Sequence, residues 1–214
     1  INVARWLPQM FYYLLAYKQL QKEVVFSVPS GNFGNICAGM MAAAMGLPVK
    51  HFVASTNVND TVPRFMENGQ YEPGQAKPTL SNAMDVGDPS NFVRILQLFM
   101  NSLPALKEKL TAYSFDDKAT VATMEAVWNE HKYMLDPHGA VGYLGLQKYL
   151  AASKDTTGVF LETAHPVKFA DTAPAGLQSQ IVTPESVQYL YSLEKQSVQL
   201  PNDYAALKDW LMKQ

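Results

Sequence analysis

Residues 24–35 read VVFSVPSGNFGN, and they constrain the chain more than any other stretch: an apolar strand runs straight into a glycine-bearing polar turn with a small-residue helix behind it. A short, continuous apolar run of this kind is what a strand covered on both faces of a parallel sheet looks like. Residues 36–45 read as the helix, dominated by Cys37, Ala38, Gly39, Ala42, Ala43 and Ala44, with Gly46 placed to end it. Residues 49–54 give the next strand, so strand, turn, helix and strand fall within about 30 residues and form a βαβ unit with a right-handed crossover. At the turn, Gly31 and Gly34 permit a sharp bend and close approach of a ligand. Asn32 and Asn35 tolerate left-handed backbone, and the helix offers free N–H groups at its positive end. That is the build of an anion cradle. On spacing alone, an ordinary glycine turn of a doubly wound fold is an equal reading. Nucleotide binding is weaker, because no Gly-Lys-Ser/Thr follows and the GxGxxG register is absent.

Around this unit, residues 3–19 carry apolar side chains at helical spacing (Trp6, Met10, Tyr13, Leu14, Tyr17), with Pro8 in the first turn or at a bend. Asp60 or Thr61 caps a short helix bearing Val62, Phe65 and Met66. Residues 68–90 hold three Gly and three Pro and form a long loop of the kind that is usually functional. Further helices are expected at 91–100, 118–131 and 139–152, the last started by an Asp136 cap and Pro137. A third strand is expected at 157–161, and tail helices at 184–195 and 202–213, with Tyr204, Leu207, Trp210 and Leu211 on one face of the last. Three strands among about eight helices is a deficit, since such a small parallel remnant exposes pairing edges.

The chain has 214 residues, of which 48% are hydrophobic, enough for a sizeable core. Its 17 basic and 19 acidic residues show no basic cluster, which speaks against nucleic-acid or anionic-membrane partners. Apolar runs are interrupted before membrane-span length, no signal-peptide pattern opens the chain, and a cytoplasmic protein, or one of an organelle stroma, is expected. Cys37, the single cysteine, excludes an intrachain disulfide and reads as a packing residue. His131, Asp136 and His138 match no common metal-ligand spacing, so no metal is expected, and no Gly-x-Ser-x-Gly elbow is present. Taken alone, Arg5 reads as a solvated surface residue and Thr163 as a cap before Pro166.

The turn SGNFGN resembles the cofactor-phosphate loop of the threonine synthase family, pyridoxal-phosphate enzymes of the tryptophan synthase β-subunit type. The likeness continues in family order through INVAR, PTLSNAMDVGDPSNF, DPHGAVGYL and LETAHPVKF, over residues 1–169. It implies an α/β three-layer parallel-sheet fold, represented by an incomplete C-terminal part, residues 1–214, with the phosphate loop at 30–35 and a helical tail from about 184. The resemblance also implies pyridoxal 5'-phosphate as cofactor. Its phosphate would be held by Ser30, Gly31, Asn32, Phe33, Gly34 and Asn35, largely through backbone N–H groups, and its pyridine nitrogen by the hydroxyl of Thr163. Asn2 and Arg5, with Asn35, would bind the substrate O-phospho-L-homoserine, for which a bidentate guanidinium is suited. No catalytic residue is expected here, because the family's Schiff-base lysine lies in the N-terminal half, the expected missing partner. The parent lyase would convert O-phospho-L-homoserine and water to L-threonine and phosphate, and the isolated chain would be inactive. The alternatives are another lyase with the same cofactor, such as a serine or threonine dehydratase, or a non-catalytic phosphate-binding module.

Overall fold

The computed structural model describes residues 3–153 and 155–213. They divide into two compact units, Ile1–Ile181 and Val182–Gln214. In the first, β1 (Val24–Pro29), β2 (Val49–Thr56), β3 (Leu110–Ser114) and β4 (Gly158–Phe160) form one sheet in the order β3-β2-β1-β4, every pair parallel. Strand alternation sends Val24, Phe26 and Val28 to one face, where they join α1 (Trp6–Leu20) and α2 (Gly34–Ala44) in the main core. Val25 and Val53 point the other way and pack on Leu146 of α7 (Pro137–Ala152). Helices therefore cover both faces, and the three-layer parallel-sheet expectation holds.

Small residues decide how close the layers come. Gly39 of α2 leaves room for the buried Tyr13 ring, which meets Phe26 edge-on at 4.9 Å between centroids. On the opposite face, a Cβ at Gly145 would collide with Ser55 Oγ, and one at Gly142 would stand 3.2 Å from Pro29 Cδ. α7 thus lies directly on β1 and β2. The hydroxyls enclosed there are paired, Ser27 Oγ donating to the Gly142 carbonyl at 2.6 Å and sharing a hydrogen bond with Ser55 Oγ at 2.9 Å. Without such partners each buried hydroxyl would cost about 1–3 kcal/mol.

The expected βαβ unit is present, and Pro8 sits in the first turn of α1, where its missing N–H costs nothing. α3 (Thr61–Asn68) follows Asp60, whose carboxylate turns to Arg64 Nε at 3.0 Å instead of capping the helix. The strand count of three is corrected to four, because β3 pairs with β2 along residues 110–114. Its sequence LTAYS follows α5 (Leu103–Lys109) with no turn residue between them, so no punctuation marks the change of period. The helix expected at 91–100 is α4 (Phe92–Leu98), stopped by left-handed backbone at Met100 and Asn101, φ 53° and 57°. α6 (Asp117–His131) and α7 lie close to their expected spans. Asp136 caps α7 by accepting from the His138 N–H, with Pro137 first in the helix.

The 68–90 loop is held in place. Asn57, just beyond β2, donates to Thr79 Oγ1 at 2.8 Å and Asp85 Oδ1 at 2.9 Å, while Asn59 donates to the Lys77 carbonyl at 2.9 Å. The first unit closes with α8 (Ala175–Gln178). In the second unit, the single helix expected at 184–195 is replaced by α9 (Glu185–Gln188) and a 3-10 turn, Tyr189–Ser192. No residue of these elements is buried, and without a packed face a short helix does not propagate. α10 (Tyr204–Leu211) follows, capped by Asp203, which accepts from the Ala206 amide at 2.8 Å.

Candidate active site

β1 has β2 on one side and β4 on the other, so the order of sheet construction reverses at β1. A crevice opens beyond the carboxyl ends of the strands at such a switch point, and ligands bind there. Residues 30–33 leave β1 into this region and residues 161–163 leave β4 beside them. The ladder extends one residue past β4, Leu161 N donating to Ser27 O at 3.0 Å, which carries the exposed Thr163 to the crevice.

The turn itself is fixed from several directions. Ser30 N donates to Ser55 O at 2.8 Å, and its hydroxyl donates back to Val28 O at 2.8 Å. Asn32 Oδ1 accepts from Ser90 N at 2.6 Å and Ser90 Oγ at 3.0 Å, and Asn91 Nδ2 donates to Asn32 O at 2.8 Å. Tyr13 OH donates to both oxygens of Asn35, the carbonyl at 3.0 Å and Oδ1 at 2.8 Å. The Asn35 acceptor is thereby occupied, leaving the Nδ2 donor for a ligand.

The left-handed residue is Phe33, φ 60°, and not Asn32 or Asn35, while neither Gly31 nor Gly34 has a positive φ. Its ring is 2% exposed and packs edge-on against Phe92 at 5.5 Å. Burying it stabilises by roughly 2–3 kcal/mol, more than the roughly 1–2 kcal/mol that left-handed backbone costs. Gly31 is needed for a close approach instead, since a Cβ there would stand 2.5 Å from Met84 Cα. At Gly34 the nearest atom to a Cβ would be Asn91 Nδ2 at 3.4 Å, an ordinary contact.

Among the described residues, the amides of residues 31–36 have no protein acceptor, and the first helical bond is Cys37 N to Phe33 O at 3.1 Å. The Trp6 indole Nε1, buried and without a partner, lies 3.9 Å from where a Gly34 Cβ would be. Arg94 stacks over the same indole, 5.4 Å from its centroid. Unpaired donors thus outnumber acceptors at the positive end of an 11-residue helix, a set that fits a phosphate. Burial pushes the Cys37 thiol up to about 11, in keeping with a packing role.

Arg5 ends a one-turn 3-10 segment, Val3–Arg5, and is exposed. It stands one residue from Trp6, hence at the helix start that abuts the turn. Asn2 lies outside the described residues. Sequence reading misses the supports: Tyr13 reads as plain core, Ser90 as the end of the loop and Asn91 as the start of a helix. A buried polar cluster beside Thr163 was also missed. There Asp136 N donates to Glu162 Oε1 at 3.0 Å, His138 Nδ1 meets Asp136 Oδ1 at 2.6 Å, and Ala83 N donates to His138 Nε2 at 3.1 Å. In the sequence Asp136 reads as a cap, which it is, and both it and His138 as rejected metal ligands.

Comparison with known proteins agrees with this geometry. The family profile described as pyridoxal-phosphate dependent enzyme matches residues 4–163, and that of the threonine synthase C-terminal family matches residues 139–211. The threonine synthase of Haemophilus influenzae is 44% identical over all of this chain and half of its own length. The crystal structure of the Escherichia coli threonine synthase superposes with a TM-score of 0.85 at 42% identity, over 99% of this chain and 50% of its own. A threonine synthase from Brucella melitensis with pyridoxal phosphate bound gives a TM-score of 0.87 at 32% identity, over 100% of this chain and 51% of its own. The chain spans about half the length of the curated relatives it matches. No helix among the described residues is long and apolar enough to cross a membrane. With a profile match over residues 4–163, the chain belongs to the pyridoxal-phosphate dependent enzymes, and along its whole length it is similar to about half of each threonine synthase, with residues 139–211 matching the threonine synthase C-terminal profile.

Proposed function

We propose that residues 1–214 are the carboxyl-terminal part of a threonine synthase, a lyase that converts O-phospho-L-homoserine and water to L-threonine and phosphate. The observation that carries the reading is the donor-rich turn of residues 31–36 at the sheet's switch point, in a chain similar along its length to threonine synthases. When bound, pyridoxal phosphate would supply the electron sink for proton removal at the substrate's α and β carbons, loss of phosphate from the γ carbon and addition of water at the β carbon. This chain's residues hold and orient. The amides of Gly31 to Asn35 grip the cofactor phosphate, with Ser30, Asn32 and Phe33 setting the turn. The Thr163 hydroxyl meets the pyridine nitrogen, and being neutral it leaves that nitrogen less protonated than a carboxylate would. Arg5, with Asn2, binds the substrate phosphate, and the Nδ2 of Asn35 donates to the substrate. The lysine that moves protons belongs to an amino-terminal half, without which the chain is inactive.

A serine or threonine dehydratase built on the same loop is the rival reading, and Arg5 with the LSNAMDVGDPSNF stretch favours the phosphorylated substrate. The test joins this chain to the amino-terminal half of the Haemophilus influenzae relative and assays both substrates with pyridoxal phosphate. Threonine and phosphate from phosphohomoserine support the proposal. Deamination of threonine without turnover of phosphohomoserine, or turnover by the 214-residue chain alone, contradicts it.

A further inference from the structure

Glu162, Asp136 and His138 form a polar cluster at the first turn of α7, with Asp136 and His138 buried, and none of them has a role in the proposed reaction. The Glu162 side chain lies against the first turn of α7, where a Cβ at Gly139 would collide with its carboxyl. Its Oε1 accepts from Asp136 N, while Oε2 is buried without a partner, and so is Oδ2 of Asp136. Asp136 Oδ1 is already engaged by the His138 N–H at 2.8 Å and by Nδ1 at 2.6 Å. His138 Nε2 accepts from the Ala83 amide, so the ring hydrogen sits on Nδ1 and is donated to Asp136.

Two carboxyls therefore meet at one helix N-terminus with a pair of orphaned oxygens. The α7 end, of about half a positive charge, balances one anion but not two. A proton between the carboxyls gives both orphaned oxygens a partner and removes one charge, as in other buried carboxyl pairs.

We propose that Glu162 and Asp136 hold one proton between them, and that this acid pair with His138 is a lock positioning Thr163 and the phosphate turn relative to each other. The chain of contacts is continuous. Glu162 is the residue immediately before Thr163, Asp136 caps α7, and His138 holds Ala83, in the segment whose Met84 lies under Gly31. The lock thus ties the exit of β4 to the exit of β1 through α7. Its role in catalysis rests on the reading of Thr163 and residues 30–35 given above, while the shared proton itself does not.

Burial, and the Asp136 charge that faces it, raise the Glu162 carboxyl to about 8. The other titratable groups facing the pair are His138 on α7 and Tyr133 on the α6–α7 connection, the latter also raised, by burial and then by Glu162 and Asp136. The 81–84 segment contributes only its backbone. Above the Glu162 midpoint two carboxylates oppose each other and the lock loosens.

The test is carbon and nitrogen NMR of the protein carrying this chain, titrated with and without pyridoxal 5'-phosphate, for the wild type and for Glu162→Gln and Glu162→Ala. The expected result is a Glu162 carboxyl midpoint near 8, with the Thr163 and Ala83 amides moving at the same midpoint. Glu162→Gln, which keeps a neutral partner for Asp136, should erase that shared titration and leave both amides at their low-pH positions. Glu162→Ala should displace both at every pH while the protein stays folded. Ionisation of Glu162 in the ordinary carboxylate range, amides that ignore its titration, or a glutamine variant that behaves like the alanine variant would each overturn the proposal. If the cofactor leaves the Thr163 signals unmoved although the shared titration is present, the assignment of Thr163 fails and the lock stands.

Discussion

A single methyl group at Gly31 should do what the same group at Gly34 does not. The Gly31 Cβ would stand 2.5 Å from Met84 Cα and 3.1 Å from Ala83 O. Carbon atoms pack best at about 3.5–4.0 Å, so the two segments must part by about 1 Å. Neither side yields readily, because Met84 is 4% exposed, Ala83 is tied to His138, and the turn is pinned through Ser30 and Asn32. Overpacking of this kind costs about 1–3 kcal/mol, offset by roughly 0.4–1 kcal/mol from the stiffer unfolded chain. Gly31→Ala should therefore lose about 1–2 kcal/mol net, a fall in Tm of about 2–8 °C for a protein of this size. At Gly34 the added atom makes an ordinary contact, 3.4 Å from Asn91 Nδ2, and Gly34→Ala should stay within about 0.5 kcal/mol of wild type. Urea unfolding and thermal melts on the two variants in parallel decide it. Equal losses at the two glycines, or a neutral Gly31→Ala, would refute the close approach as the reason for glycine at 31.

Tyr13→Phe removes the hydroxyl that occupies both Asn35 oxygens and should cost about 1–2 kcal/mol; amide shifts confined to the start of α2 would show the loss is local. Gly145→Ala, which drives a methyl into Ser55 Oγ beneath α7, should destabilise by about 1–3 kcal/mol in the same denaturation assay, and a neutral result would contradict the direct seating of α7 on the sheet. Cys37, buried and with its thiol raised to about 11, should resist a thiol reagent at about pH 8 until the protein unfolds, as colorimetric labelling with and without urea reports. The folded-state value of Glu162 lies above its unfolded one, so the stability it contributes is complete below the unfolded carboxylate range and is lost as pH rises through about 8. Melts across that range should fall for the wild type and flatten for Glu162→Gln.

Much of this was legible in the sequence because the signals were local. The apolar run before SGNFGN fixed β1, the small residues of α2 announced a helix that presses close to a sheet, and Asp136-Pro137 marked a helix start. What escaped depends on contacts across the chain. β3 is five residues long and follows a helix without a turn signal, so only its pairing with β2 makes it a strand. Phe33 adopts the left-handed backbone that glycine or asparagine would adopt more cheaply, because a ring anchored on Phe92 outweighs the strain, and Phe92 is 59 positions away. The roles of Tyr13, Ser90 and Asn91 are hydrogen bonds to the turn from distant segments. Glu162 and Asp136, 26 positions apart, become an acid pair only when the exit of β4 meets the first turn of α7. The helix expected at 184–195 failed for the opposite reason, since its helical spacing has no buried face to enforce it, whereas the last tail helix formed as α10 behind its Asp203 cap.

On the reading proposed above, the amides of residues 31–36 cradle the phosphate of pyridoxal 5'-phosphate at the switch point of the sheet. Titrating that cofactor into the nitrogen-15-labelled protein and following every backbone amide tests it most directly. Saturable shifts should concentrate at residues 31–36 and at Thr163, and excess inorganic phosphate should reverse the first group while leaving the amino-terminal end of the sheet unmoved. Saturable shifts that spare residues 31–36, or none at all in a protein shown to be folded, would contradict the account.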